Sequence, residues 1–250
     1  ATDPRLAAAV TASATEAVLR KNPQVSQLDA DLLRISKEIR DLLPPGLCAL
    51  ESPSKTYGYV RELNAMPAVL SLQRGNARAQ RIAEIVVAAD QELRFLSDSE
   101  LDRIHSEIAA GDSLDAATLR RAAAKILRDF KGTIVEGAQE AIIEDMPALL
   151  QSTGALSNEH VALAYWSELE HLLRLSQYAT AAALSTFTDE QQIELVQATL
   201  RKHNITTQVL NLSLTSMQKR ANFLCKCSQV APKCWVASHF ALLHLIERLE

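Results

Sequence analysis

Residues 77–100, ARAQRIAEIVVAADQELRFLSDSE, decide the fold class. Ile82, Ile85, Val86, Ala89, Leu93 and Leu96 recur at three- and four-residue intervals, which lines one face of an α-helix. Ser97 then stands three residues before Glu100, a capping box in which hydroxyl and carboxylate satisfy each other's free backbone amides. The spacing predicts a helix over about 77–96 and the start of another at 98.

The same grammar runs in both directions. Toward the N-terminus, Asp3-Pro4 opens a helix that reaches about Lys21, before Pro23. A second runs from Ser26 until Pro44-Pro45-Gly46 ends it. Residues 44–56 are the most loop-like of the chain, and short helices follow at 55–64 and from Pro67. Toward the C-terminus, helices are predicted near 98–110, 114–131, 134–151, 158–178, 189–203, 206–224 and 235–249. Thr133-x-x-Glu136 and Thr188-x-x-Gln191 fit further capping boxes, and Gly111 and Gly132 sit where C-terminal caps belong. Pro147 should kink its helix or end it early.

Only seven glycines, eight prolines and 4% aromatics agree with helix throughout, since sheets of this size need more glycine at their turns. The fold class is all-α: an irregular stack of roughly ten to twelve antiparallel helices. Its architecture is either an armadillo-like α-α superhelix or two adjoining helical bundles, with seams near 44–56 or 152–157. Residues 1–250 read as a single helical domain, subdividing into an N-terminal hairpin (1–45) and a helical core (54–250). No tetratricopeptide or ankyrin signature fixes a repeat.

Charge is uneven. Residues 90–115 carry eight acids against Arg94 and Arg103, whereas residues 201–246 carry no acid and the bases Arg201, Lys202, Lys219, Arg220, Lys226 and Lys233. That cationic span, with Trp166, Trp235, Tyr165 and Phe240 as large anchors, is the candidate partner-binding surface. The alternative partner is nucleic acid, held by the basic 201–233 face.

Cys225, Cys227, Cys234, His239 and His244 form the candidate metal set, because zinc prefers thiolate and imidazole. The two histidines are five residues apart, so on one helix they point about 140° away from each other. No cofactor is therefore expected, with zinc the alternative, held by the cysteines and one histidine. Buried thiols around an apolar C-terminal helix are the competing reading.

The chain has no phosphate-binding loop, dinucleotide fingerprint, zinc-protease motif or nucleophile elbow. His105 between Asp102 and Glu107, and Cys48 in a loop, are the residues closest to catalytic arrangements. No signal peptide or long apolar run is present, and position 1 is not Met, so the chain reads as a fragment of a cytoplasmic or nuclear protein.

Two local resemblances bear on function. Trp166-Ser167-Glu168-Leu169-Glu170 has the W-x-x-x-E form and resembles bacterial effectors that act on host small GTPases. Residues 98–108, DSELDRIHSEI, resemble the first helix of the integrase-binding domain of a chromatin-tethering coactivator. Both imply helical interaction modules. The expectation is a non-enzymatic helical scaffold that binds a peptide or helix of a protein partner through a groove or face. Nucleic-acid binding is the first alternative, and a pathogen effector acting on a small GTPase the second.

Overall fold

A computed structural model of the protein describes residues 65–111, 113–228 and 233–249. The chain divides into two units, Ala1–Gly58 and Tyr59–Glu250, and the described residues belong to the second. The helices expected before residue 64, the 44–56 loop, the 1–45 hairpin and Cys48 lie outside the described residues.

The described residues are helical, with no strand among them, and form an all-α fold. The helices are α1 (Met66–Gln73), α2 (Ala77–Gln91), α3 (Asp98–Ala109), α4 (Leu114–Asp129), α5 (Lys131–Asp145), α6 (Glu159–Ala181), α7 (Glu190–Lys202), α8 (Thr207–Cys227) and α9 (Trp235–Leu249). A 3₁₀ turn, Pro147–Leu150, follows α5, so Pro147 does end its helix early.

Caps explain where elements begin and end. The Ser97 capping box forms as expected: Ser97 Oγ accepts the Glu100 N–H at 3.3 Å, and Glu100 Oε2 accepts the Ser97 N–H at 2.8 Å. The other two boxes do not. The helix after Phe130 starts at Lys131, which puts Gly132 and Thr133 inside the first turn of α5. Ahead of α7 the cap is Asp189, whose Oδ1 accepts the Gln192 N–H at 2.8 Å. A carboxylate one residue nearer the helix takes the role, and Thr188 turns elsewhere.

Helix α2 stops at Gln91 rather than running to Leu96, because Leu93 adopts φ 53° and closes a Schellman turn. There the Arg94 N–H reaches the Ala89 carbonyl at 3.1 Å and the Leu93 N–H reaches the Asp90 carbonyl at 3.0 Å. Ala183 and Asn204 end α6 and α7 in the same left-handed conformation.

Packing overturns the armadillo-like stack, and the two-bundle alternative as far as it relied on a seam at 152–157. In a superhelical stack each helix touches its sequence neighbours and keeps a solvent face. Here α8 packs most extensively against α5 and α9, and α6 against α4 and α9, which joins segments far apart in sequence. The α5–α8 and α4–α6 contacts also cross residues 152–157, so no seam divides the described residues there. Every residue from Leu172 to Ala182 is buried, polar ones included. From Leu172 onward α6 is therefore enclosed by its neighbours on every side, which a one-sided helix in a stack cannot be.

Candidate functional site

The α8–α9 pair carries most of the residues singled out from the sequence. Asn222 Nδ2 donates to His239 Nδ1 at 3.2 Å, and Gln218 Nε2 donates to the His239 carbonyl at 3.2 Å, which fixes how the two helices pair. Cys225 and Cys234 are fully buried and pack with Ala123 of α4. Cys225 Sγ lies 3.6 Å from Ser238 Oγ, and the Cys234 thiol points to the Cys225 carbonyl at 3.9 Å. The neighbouring Cys234 thiol, helped by Ser238, holds the Cys225 thiol below its ordinary value against the opposing effect of burial. The Cys225 side chain, with burial, pushes the Cys234 thiol up.

Cys227 is exposed, about 200° around α8 from Cys225. His244 leaves the group altogether: its Nε2 bonds Thr188 Oγ1 at 2.9 Å and its ring lies 4.8 Å from Phe187. Burial, with the nearby Arg248 charge, lowers its pKa. No three His, Cys, Asp or Glu side chains among the described residues converge as a metal cage would. The expected zinc set of Cys225, Cys227, Cys234, His239 and His244 is thus not assembled: two thiols are packed inward, one faces water, and the histidines bind separate polar partners.

The basic residues are dispersed. Arg220 is ion-paired with Glu140 across the α5–α8 contact. It also borders, with Lys219, Phe223, Ser216 and Gly137, a cleft of about 330 Å³. Arg201 borders a second cleft of about 500 Å³ with Gln197 and Asn204, next to the exposed Lys202. Lys226 lies 4.8 Å from the Trp235 ring centroid, a cation–π contact, and Lys233 is exposed. Trp166 is half-buried and meets Tyr165 edge-on at 5.2 Å, while the Tyr165 hydroxyl bonds Ser213 Oγ at 2.8 Å inside the core. Glu170 pairs with Lys131, so the W-x-x-x-E residues serve packing and a surface ion pair. Asp102 binds Arg121 rather than His105, whose Nε2 lies 3.3 Å from Thr118 Oγ1.

Sequence reasoning missed the charge pair nearest the centre. Arg174, 3% exposed, places Nη2 at 3.2 Å from Asp90 Oδ1 and 2.7 Å from His171 Nδ1, and its guanidinium lies 5.8 Å from the Tyr178 ring. Asp90 Oδ2 also accepts the Ala65 N–H at 3.0 Å. The available signal was a lone cation within Leu172-Leu173-Arg174-Leu175. A charge in such a run is almost never buried without a partner.

A family model described as phycobilisome protein matches residues 84–241, more than half of the chain and nearly all of α2 to α9. The chain belongs to the phycobilisome protein family. It is 31% identical to the allophycocyanin alpha chain of Cyanophora paradoxa over 109 residues, covering 44% of this chain and 64% of that one. It is also 31% identical to the allophycocyanin alpha chain of Galdieria sulphuraria over 101 residues, covering 40% and 59%. The chain therefore spans less than two thirds of the length of these curated relatives.

Membership in the phycobilisome protein family corrects three expectations. The family consists of light-harvesting pigment proteins, so the generic peptide-binding scaffold, the nucleic-acid-binding module and the small-GTPase effector are all replaced. The expectation of no cofactor, with zinc as alternative, gives way because phycobilisome proteins carry covalently bound bilin. The armadillo-like helical-repeat description is withdrawn with the scaffold. Phycobilisome proteins are not enzymes, and they assemble with other protein subunits. No helix of the described residues is long and apolar enough to cross a membrane.

Proposed function

We propose that this chain is a light-harvesting subunit that carries a bilin and docks against other subunits of a phycobilisome-type antenna, its α2–α9 region adopting a globin-like arrangement. The observation that carries the reading is the family match across residues 84–241. The enclosed central helix α6 supports the globin-like part.

A covalent bilin needs a nucleophile that the pigment can reach, and cysteine thiolate is the side chain suited to that at neutral pH. Of the described cysteines, Cys225 and Cys234 are shut inside the core and Cys227 opens to solvent. Cys227 thus fits the attachment role, and the adjacent Lys226 offers a cation to the pigment's carboxylates. When bound, the bilin supplies a conjugated system that absorbs visible light. Exposed Phe223, Val236 and Phe240, at 63%, 41% and 60%, supply apolar area for subunit contacts on the same helix pair.

Co-production of the chain with a bilin and an attachment lyase tests the reading. Pigment should remain on the chain through a denaturing gel, seen by zinc-enhanced fluorescence, and Cys227→Ser should lose it. A chain that stays colourless after denaturation with Cys227 intact overturns the proposal.

A further inference from the structure

Cys225 and Cys234 lie in one apolar pocket with Ala123, ringed by Leu119, Ala122, Ile126, Trp235 and Ala237. They are nine residues apart, at the end of α8 and just before α9. The Cys234 thiol points to the Cys225 carbonyl at 3.9 Å, which sets the two cysteines side by side where α8 ends and α9 begins. We infer that Cys225 and Cys234 are a peroxide-sensitive dithiol, oxidised to an intramolecular disulfide that ties the end of α8 to the start of α9. The inference is independent of pigment attachment, because it uses neither Cys227 nor a bilin.

Cys225 is the attacking sulfur. Its Sγ lies 3.6 Å from the Ser238 hydroxyl oxygen, which can take the thiol proton's hydrogen bond, whereas the Cys234 thiol is turned to a backbone carbonyl. The oxidant is hydrogen peroxide, small enough to enter when the helix ends open locally. The Cys225 thiolate attacks one peroxide oxygen, the O–O bond breaks, and the departing hydroxide takes a proton to leave as water. Cys225 is then a sulfenic acid. The Cys234 thiol gives up its proton and attacks the Cys225 sulfur; the S–O bond breaks and a second water leaves. Two thiols are oxidised and one peroxide is reduced. Cys227, on another side of α8, cannot substitute for Cys225 without unwinding the helix end.

The test is peroxide treatment of the full, pigment-free chain, followed by alkylation and peptide mapping by mass spectrometry. The expected map shows Cys225 joined to Cys234 and Cys227 still alkylated. In Cys234→Ala the reaction should stop at a Cys225 sulfenic acid that dimedone traps. In Cys225→Ala, Cys234 should stay reduced. The wild-type map stands without the variants, should either fail to fold. A disulfide that takes in Cys227 or Cys48 in place of either residue overturns the inference. So does a full set of free thiols at a peroxide dose that oxidises free dithiothreitol.

Discussion

The hydroxyl of Tyr178 donates a 2.5 Å hydrogen bond to the carbonyl of Arg94, 84 positions earlier in the chain. The next residue back, Gln177, takes the Leu96 N–H at 2.8 Å and reaches the Leu96 and Ala124 carbonyls at 3.4 and 3.2 Å. Two side chains of the enclosed helix α6 thereby clamp the 94–96 connection between α2 and α3. Tyr178→Phe removes one donor from a partly buried carbonyl and should cost about 1–2 kcal/mol. Gln177→Leu strands a buried N–H as well, and should cost more. Urea unfolding of both variants measures the difference.

Gly137 of α5 faces α8 so closely that an added Cβ would meet Arg220 Nε at 3.2 Å. Gly137→Ala should be nearly neutral, since the helical gain of about 1 kcal/mol offsets the shift of a flexible side chain. Gly137→Leu drives bulk into the α5–α8 contact and should destabilise by roughly 1–3 kcal/mol. Equilibrium denaturation of the two side by side separates backbone propensity from overpacking.

Leu93 is 56% exposed and holds φ 53° to close the Schellman turn after α2. A left-handed conformation costs a branched L-residue about 1–2 kcal/mol. Leu93→Gly should therefore raise stability, with part of the gain cancelled by the freer unfolded chain. The melting temperature reports the net change, and a clear drop would mean that the leucine side chain contributes more packing than its exposure implies.

Glu100 is held at about 2, well below its ordinary 4.5, chiefly by the two-point hydrogen bond from Arg94 and also by the Ser97 cap. A carboxylate depressed in the fold contributes stability that is fully present above the unfolded value of 4.5 and lost as pH falls toward about 2. Glu100→Gln should flatten the acid limb of the stability curve in that window, while also lowering stability at neutral pH. Chemical denaturation across acid pH checks both effects.

His244 works in the opposite chemical sense but on the same side of the pH scale. Burial beside Phe187 lowers its pKa, so the unfolded chain takes up a proton near 6.5 while the folded site resists. Stability should fall as pH drops below about 6.5. His244→Gln, which keeps a partner for Thr188, should weaken that dependence in melting curves.

The helices from residue 97 onward were legible because their caps and apolar stripes act locally: Ser97, Pro147 and the 3.6-residue period need no tertiary partner. Two starts depart from the sequence reading: α5 begins at Lys131, ahead of Thr133 and with no side-chain cap, and at α7 two candidate caps stand side by side. Asp189 outbids Thr188 only because Thr188 finds His244, 56 positions away. The central position of α6 was hidden for a related reason. Arg174, Ser176, Gln177 and Thr180 look like a solvent face in sequence, yet all are buried. Ser176 and Gln177 bond to backbone carbonyls, and Arg174 pairs with Asp90. The family was not legible because the likeness is spread over about a hundred residues at 31% identity. A capped amphipathic helix such as 98–108 recurs in unrelated domains.

The chain has two tryptophans, and the ring of Trp235 rests between the Lys226 ammonium and the edge of His239 at 5.9 Å, against the Cys225–Cys234 pocket. An indole so placed senses charge, hydration and nearby sulfur through its emission. The end of the α8–α9 pair thus carries its own optical gauge, readable without a label while a thiol there reacts or a chromophore arrives.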